Sequence, residues 1–111
     1  MQEMKQIFSE SELNEILHLP EVQIQRIGFS LNSEKKTLDL EMQLNANVLI
    51  VFFNVCNLTV SPEFNYGNFE GGACIDIHDI SSRQLENIFW EICEYENESM
   101  HFDCESIFVN Q

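Results

Sequence analysis

From Thr37 to Leu44 apolar and polar residues alternate without a fault: Leu38, Leu40, Met42 and Leu44 fall on one side, and Thr37, Asp39, Glu41 and Gln43 on the other. A period of two fits a strand with one face in a core and the other in water, the habit of antiparallel sheets. Most of the remaining chain follows the same grammar. Residues 22–31 are strand-like but change phase, since Val22 and Ile24 share a parity that Ile27, Phe29 and Leu31 do not. A bulge near Arg26 reconciles the two halves. The polar stretch 32–36 then serves as a hairpin tip carrying Lys35 and Lys36.

Only the start of the chain reads as helix. Residues 9–19 repeat Leu13, Ile16 and Leu17 at helical spacing behind Ser9 and Ser11 as candidate N-caps, with Glu12 at a capping-box position and Pro20 as the stop. After a turn at 45–47, residues 48–60 are apolar on both faces as far as Phe53 and predict one long central strand. Residues 61–72 form the one long loop, with Pro62, three glycines and the aromatics Phe64, Tyr66 and Phe69. A strand follows over 73–80.

Residues 81–96 fit either a helical stripe (Leu85, Ile88, Phe89, Ile92, Cys93) or a turn at 82–86 followed by a strand. The second is favoured, because aromatic and β-branched residues dominate after Asn87. Residues 100–109 close the chain as a strand with Phe102, Cys104 and Phe108 on one face. For this last hairpin a loop at 98–99 sets Cys93 opposite Cys104, whereas a loop at 97–98 sets Cys93 opposite Phe102. A one-residue shift between these registers would bury Glu94. The expected architecture is a single mainly β domain over 1–111, α+β at the margin: a short N-terminal helix and then an antiparallel meander of about six strands in a curved sheet or sandwich.

Charge limits the partners. The chain has 19 acids, five Lys or Arg and a net charge of −14, and after Lys36 only Arg83 is basic. Residues 1–55 hold eight acids against four bases, while 56–111 hold eleven against one. Such a field repels nucleic acid and anionic membranes and attracts basic proteins. The exposed acidic patch expected from the last hairpin comprises Glu91, Glu94, Glu96, Asp103 and Glu105. Charge reversal at Glu94, Asp103 and Glu105 is expected to cost binding but not stability. The loop aromatics Phe64, Tyr66 and Phe69 complete the candidate partner-binding set.

Candidate chemistry is sparse. Asp76 and His78 share a strand face and, with Asp79, make the alternative reading of a metal-binding or small-ligand β domain. His101, Asp103 and Glu105 read as a solvated edge. His101 and Cys104 fall on opposite faces, which argues against a thiol nucleophile. Four cysteines at spacings of 18, 19 and 11 lack a zinc or disulfide pattern, so all four are expected to be reduced core thiols without stoichiometric zinc. No catalytic residue and no cofactor is expected. The first residues lack a secretory pattern and no apolar run could span a bilayer, so the cytoplasm is the expected compartment.

Several stretches, ILHLP at 16–20, TLDLEMQL at 37–44, VFFNVCNL at 51–58, IHDISSRQLENI at 77–88 and YENESMHFDCESIFV at 95–109, together resemble bacterial proteins of the immunity protein 50-like family and related members of polymorphic toxin loci. The family often shows an HD pair where this chain has His18 and Leu19, and no site residue is carried over. The resemblance implies an acidic cytoplasmic protein that neutralises a basic toxin domain by masking it.

Overall fold

The computed structural model describes residues 4–17, 23–44, 48–61, 74–95 and 99–110. In chain order these form β1 (Lys5–Ile7), α1 (Glu10–Ile16), β2 (Ile24–Asn32), β3 (Thr37–Leu44), β4 (Val48–Phe53), β5 (Cys56–Val60), β6 (Ile75–Asp79), β7 (Trp90–Glu94), β8 (Met100–Cys104) and β9 (Ser106–Asn110). The strands make two antiparallel sheets, one ordered β1-β9-β4-β3-β2 and the other β5-β8-β7-β6. The expected mainly β architecture with a short helix is what forms. No helix among the described residues is long and apolar enough to cross a membrane.

The two sheets bury one core between them. Leu40, Met42, Ile50 and Phe52 come from the first sheet and Ile75, Ile77, Ile92 and Phe102 from the second, all of them 0–1% exposed. Phe52 and Phe102 meet edge to face with ring centroids 5.0 Å apart, a geometry that adds to the area they bury. Each of these side chains occupies one parity of its strand, so the period of two seen in the sequence becomes the inner face.

The helix begins as its sequence asks. The Ser9 side chain accepts from the Glu12 amide, and Glu12 Oε1 accepts from the Phe8 amide at 3.0 Å, a reciprocal cap displaced by one residue. It is shorter than expected: Leu17 is already extended at the C-cap, and with Leu13 it is buried in the core. The rest of the expected helix, residues 18 and 19, lies outside the described residues. Strand β1, ahead of the helix, has too few residues to show a period, and it holds its place by pairing Ile7 with Ile107. The bulge expected near Arg26 appears as a register shift between Ile24 and Arg26.

Two expected strands turn out to be bent. Residues 48–60 divide into β4 and β5 at Asn54, which takes the left-handed conformation (φ 56°). Residues 100–109 divide into β8 and β9 at Glu105. Register nevertheless continues through both bends, with Phe53 opposite Ser106 in the first sheet and Cys56 opposite Asp103 in the second. The pieces therefore form one two-stranded ribbon folded across both sheets. At the fold Asn54 Nδ2 donates to Glu105 Oε1 (3.1 Å), the Glu105 amide to the Phe53 carbonyl (3.0 Å) and the Asn54 amide to Asp39 Oδ1 (3.1 Å). The bend also switches parity, because Phe102 and Cys104 face the core before it and Ile107 and Val109 after it. Phe108 is consequently not on the face of Phe102 and Cys104, as the unbent strand required.

The region 81–95 takes the favoured reading: a 3-10 turn at Ser81–Arg83 ends on Gln84 in the left-handed conformation, and β7 follows. The hairpin register differs from both expected ones. Trp90 pairs with Cys104, Ile92 with Phe102 and Cys93 with His101, which places Trp90, Ile92, Phe102 and Cys104 together in the core. Matching these four large or apolar side chains decides the parity, and the consequence is that Glu94 goes inside.

Candidate functional site

Register sets the outer face of the second sheet. His78 pairs with Glu91, Glu91 with Asp103 and Asp103 with Cys56; the adjacent row runs from Asp76 to Cys93, His101 and Thr59. Directly paired residues share a face, so two histidines, three carboxylates and two thiols converge on one sheet surface. Between Cys56 and Thr59 the register shifts, and the extra residue Asn57 sits at φ 55°. This bulge aims Asn57 Nδ2 at Asp103 Oδ2, 2.9 Å away.

At the centre of this face the ligand atoms of Glu91, His101 and Asp103 lie within 4.8 Å of one another. His101 Nε2 is 3.3 Å from Glu91 Oε2 and 3.8 Å from Asp103 Oδ1. Arg83 Nη1 reaches Glu91 Oε2 at 3.4 Å from a well-exposed position. Burial opposes ionisation of Glu91, but the His101 hydrogen bond and the Arg83 charge outweigh it and hold the carboxyl below its usual range. Asp103 is buried, and its Oδ1 has no hydrogen-bond donor. Burial, and then the charge of Asp103, push the Cys56 thiol above its usual range.

A second feature lies where the ribbon bends. A cleft of about 380 Å3 is lined by Phe8, Asp79, Ser81, Phe89, Trp90 and Glu105, among others, with no Lys or Arg among its described lining residues. Phe8 and Phe89 are exposed, Trp90 is buried, and Glu105 is held by Asn54. Hydrogen bonds from the Ser81 hydroxyl and amide hold the Asp79 carboxyl below its usual range. Aromatic faces beside ionised carboxylates are complementary to an organic cation.

The structure redistributes the acidic patch. Glu91 is half-buried in the outer face, and Glu105 stands at the bend. Glu94 and Asp103 are buried, at 0% and 8% exposure, so neither belongs to an exposed patch and charge reversal there would not spare stability. Glu94 Oε2 accepts from the Ser99 amide and hydroxyl, both at 3.4 Å. Glu96, Phe64, Tyr66 and Phe69 lie outside the described residues. Asp76 and His78 do meet, with Asp76 Oδ2 2.9 Å from His78 Nε2, but Glu10 from α1 approaches the other nitrogen at 3.9 Å while Asp79 is engaged with Ser81. The expected trio is thus not one group. Of the four cysteines only Cys104 is fully buried; Cys56, Cys74 and Cys93 are partly exposed, so they are not all core thiols.

Comparison with known proteins found no matching family model, no similar curated protein and no similar solved structure. The Glu91, His101 and Asp103 grouping was missed in the sequence because it depends on a hairpin register two strands wide. Its signal was the matching polar parity, Glu91 and Cys93 against His101 and Asp103. The cleft gave no local signal, since its walls come from four separate stretches.

Proposed function

We propose that this chain is an acidic binding protein that holds a basic protein partner, with an arginine or lysine of that partner seated in the cleft at the ribbon bend. The observation that carries this reading is the cleft itself: Asp79 and Glu105 stand beside Phe8 and Phe89, and no cation among the described lining residues neutralises them. A guanidinium fits such walls by stacking on an aromatic face while its edge donates to carboxylate. The net charge of −14 supports the same reading, because a complementary field speeds encounter and disfavours acidic competitors. The resemblance to immunity proteins of polymorphic toxin loci supports a toxin domain as the partner and the cytoplasm as the place of action. No catalytic step and no cofactor belongs to this reading.

The test is kinetic. Basic proteins encoded beside this chain are expressed, and their association with it is measured at low and high salt, for the wild type and for Asp79→Lys with Glu105→Lys. The expected result is a complex whose association rate falls steeply with salt and which the double variant loses. If no basic neighbour binds, or the double variant binds as well as the wild type, the reading fails. A domain for a small organic cation is the second reading, favoured by the size of the cleft, and saturable binding of an arginine ester without any protein partner would select it.

A further inference from the structure

We propose that Glu91 Oε2, His101 Nε2 and Asp103 Oδ1 form a site for one divalent first-row transition cation, with zinc as the reference ion. This goes beyond the proposed function and reverses the sequence-based expectation that no zinc is held. The donor set is one imidazole nitrogen and two carboxylate oxygens, which suits a borderline cation and leaves a coordination position for water or another oxygen ligand. The spacing suits it as well. Bonds of about 2.1 Å in a tetrahedral site give ligand-to-ligand edges of about 3.4 Å. His101 Nε2 stands 3.3 Å from Glu91 Oε2 and 3.8 Å from Asp103 Oδ1, and all three ligand atoms lie within 4.8 Å of one another, so the carboxylates need only draw in on the cation.

A second observation points into the same space. Asp103 is only 8% exposed, and its Oδ1 makes no hydrogen bond although it is buried. Its other oxygen is held at 2.9 Å by the bulged Asn57, which fixes the carboxylate with Oδ1 on the side of His101 Nε2. A buried anionic oxygen lacking a donor is costly, and a cation bound there removes the cost. Supporting groups that orient a ligand in this way are characteristic of metal centres. Arg83 now contacts Glu91 Oε2 at 3.4 Å, but its side chain is 55% exposed and can withdraw into solvent when a cation takes its place. Two paired strands, β7 and β8, carry all three ligands, so closing on a cation needs side-chain adjustment alone.

The experiment is calorimetric titration of the metal-stripped full chain with zinc chloride, with magnesium chloride in parallel, and with thermal melts to establish that each variant folds. The expected result is one zinc per chain, a raised melting temperature, and far weaker binding of magnesium. His101→Gln and Asp103→Asn should each remove the binding, Asn57→Ala should weaken it about tenfold, and His78→Gln should leave it unchanged. Nitrogen NMR should show zinc shifting the His101 Nε2 resonance and not that of His78. Absence of stoichiometric zinc, equal affinity for magnesium, zinc binding that survives His101→Gln, or a response at His78 alone would each overturn the proposal. Because His101 is partly exposed on the outer face, its substitution tests the site even if Asp103→Asn does not fold.

Discussion

Glu94 is an acid that works from the inside. With 0% exposure and two hydrogen bonds from Ser99, it ties the end of β7 to the residue before β8. Glu94→Gln keeps an acceptor there and is expected to cost about 1 kcal/mol, whereas Glu94→Lys buries an unmatched cation and should cost about 3 kcal/mol or more. Denaturant unfolding of the two variants checks the order. Cys104 makes the opposite case, a group kept neutral. Burial, and then the neighbouring Cys56, Asp103 and Glu105, push its thiol far above the ordinary range. The folded chain therefore retains a proton that the unfolded chain releases, so stability is fully present below the ordinary thiol pKa of about 9 and is lost as the pH rises beyond it. Cys104→Ala is expected to flatten that alkaline loss, read from melting temperatures across the pH range. At neutral pH Cys104 should resist alkylation in the native state and react only after unfolding.

Among the elements, the bent ribbon is the one that runs through both sheets. Asn54 combines a left-handed backbone with a side-chain bond to Glu105 and an amide bond to Asp39. Asn54→Ala should therefore cost about 1–2 kcal/mol in backbone strain alone, and Asn54→Gly less, since glycine adopts this conformation freely. Comparing their unfolding midpoints separates the backbone cost from the lost side-chain bond. The same ribbon explains what the sequence could and could not tell. Strand β3 was legible because Leu40, Met42 and Leu44 are buried while Glu41 between them is exposed, and the bulge at Arg26 because parity changed within one stretch. Asn54 and Glu105 were not legible as bends, since the left-handed conformation of an asparagine between Phe53 and Val55 leaves no periodic mark, and the partner that stabilises it is some fifty positions away. The Glu91, His101 and Asp103 cluster failed to show for a similar reason: its register goes with the core matching of Trp90, Ile92 and Phe102 across two strands.

For the whole molecule, charge opposes compactness. A net charge of −14 on a folded chain means mutual repulsion among its carboxylates, which added salt screens. The lowered pKa values of Glu91 and Asp79 contribute stability that is present above the ordinary carboxyl range and lost as the pH falls through it. A melting series should therefore show stability falling as the pH drops through the carboxyl range. Added sodium chloride at pH 7.5 should raise the melting temperature by a few degrees through screening. A fall would mean that specific ion pairs, not self-repulsion, dominate.

Strand β9, at Ser106–Asn110, lies between β1 and β4, and thus in the interior of a sheet whose other members all come from the first half of the chain. While a ribosome is still making this protein, Ile7 and Ile50 have no strand between them, and the ribbon that joins the sheets has only one side. Closing it brings together residues some forty to sixty positions apart, a slow step by the usual dependence of folding rate on the separation of contacting residues. Native structure is therefore expected to be gained nearly at once, when residues 106–110 emerge, and a nascent chain stalled before them should remain protease-sensitive throughout.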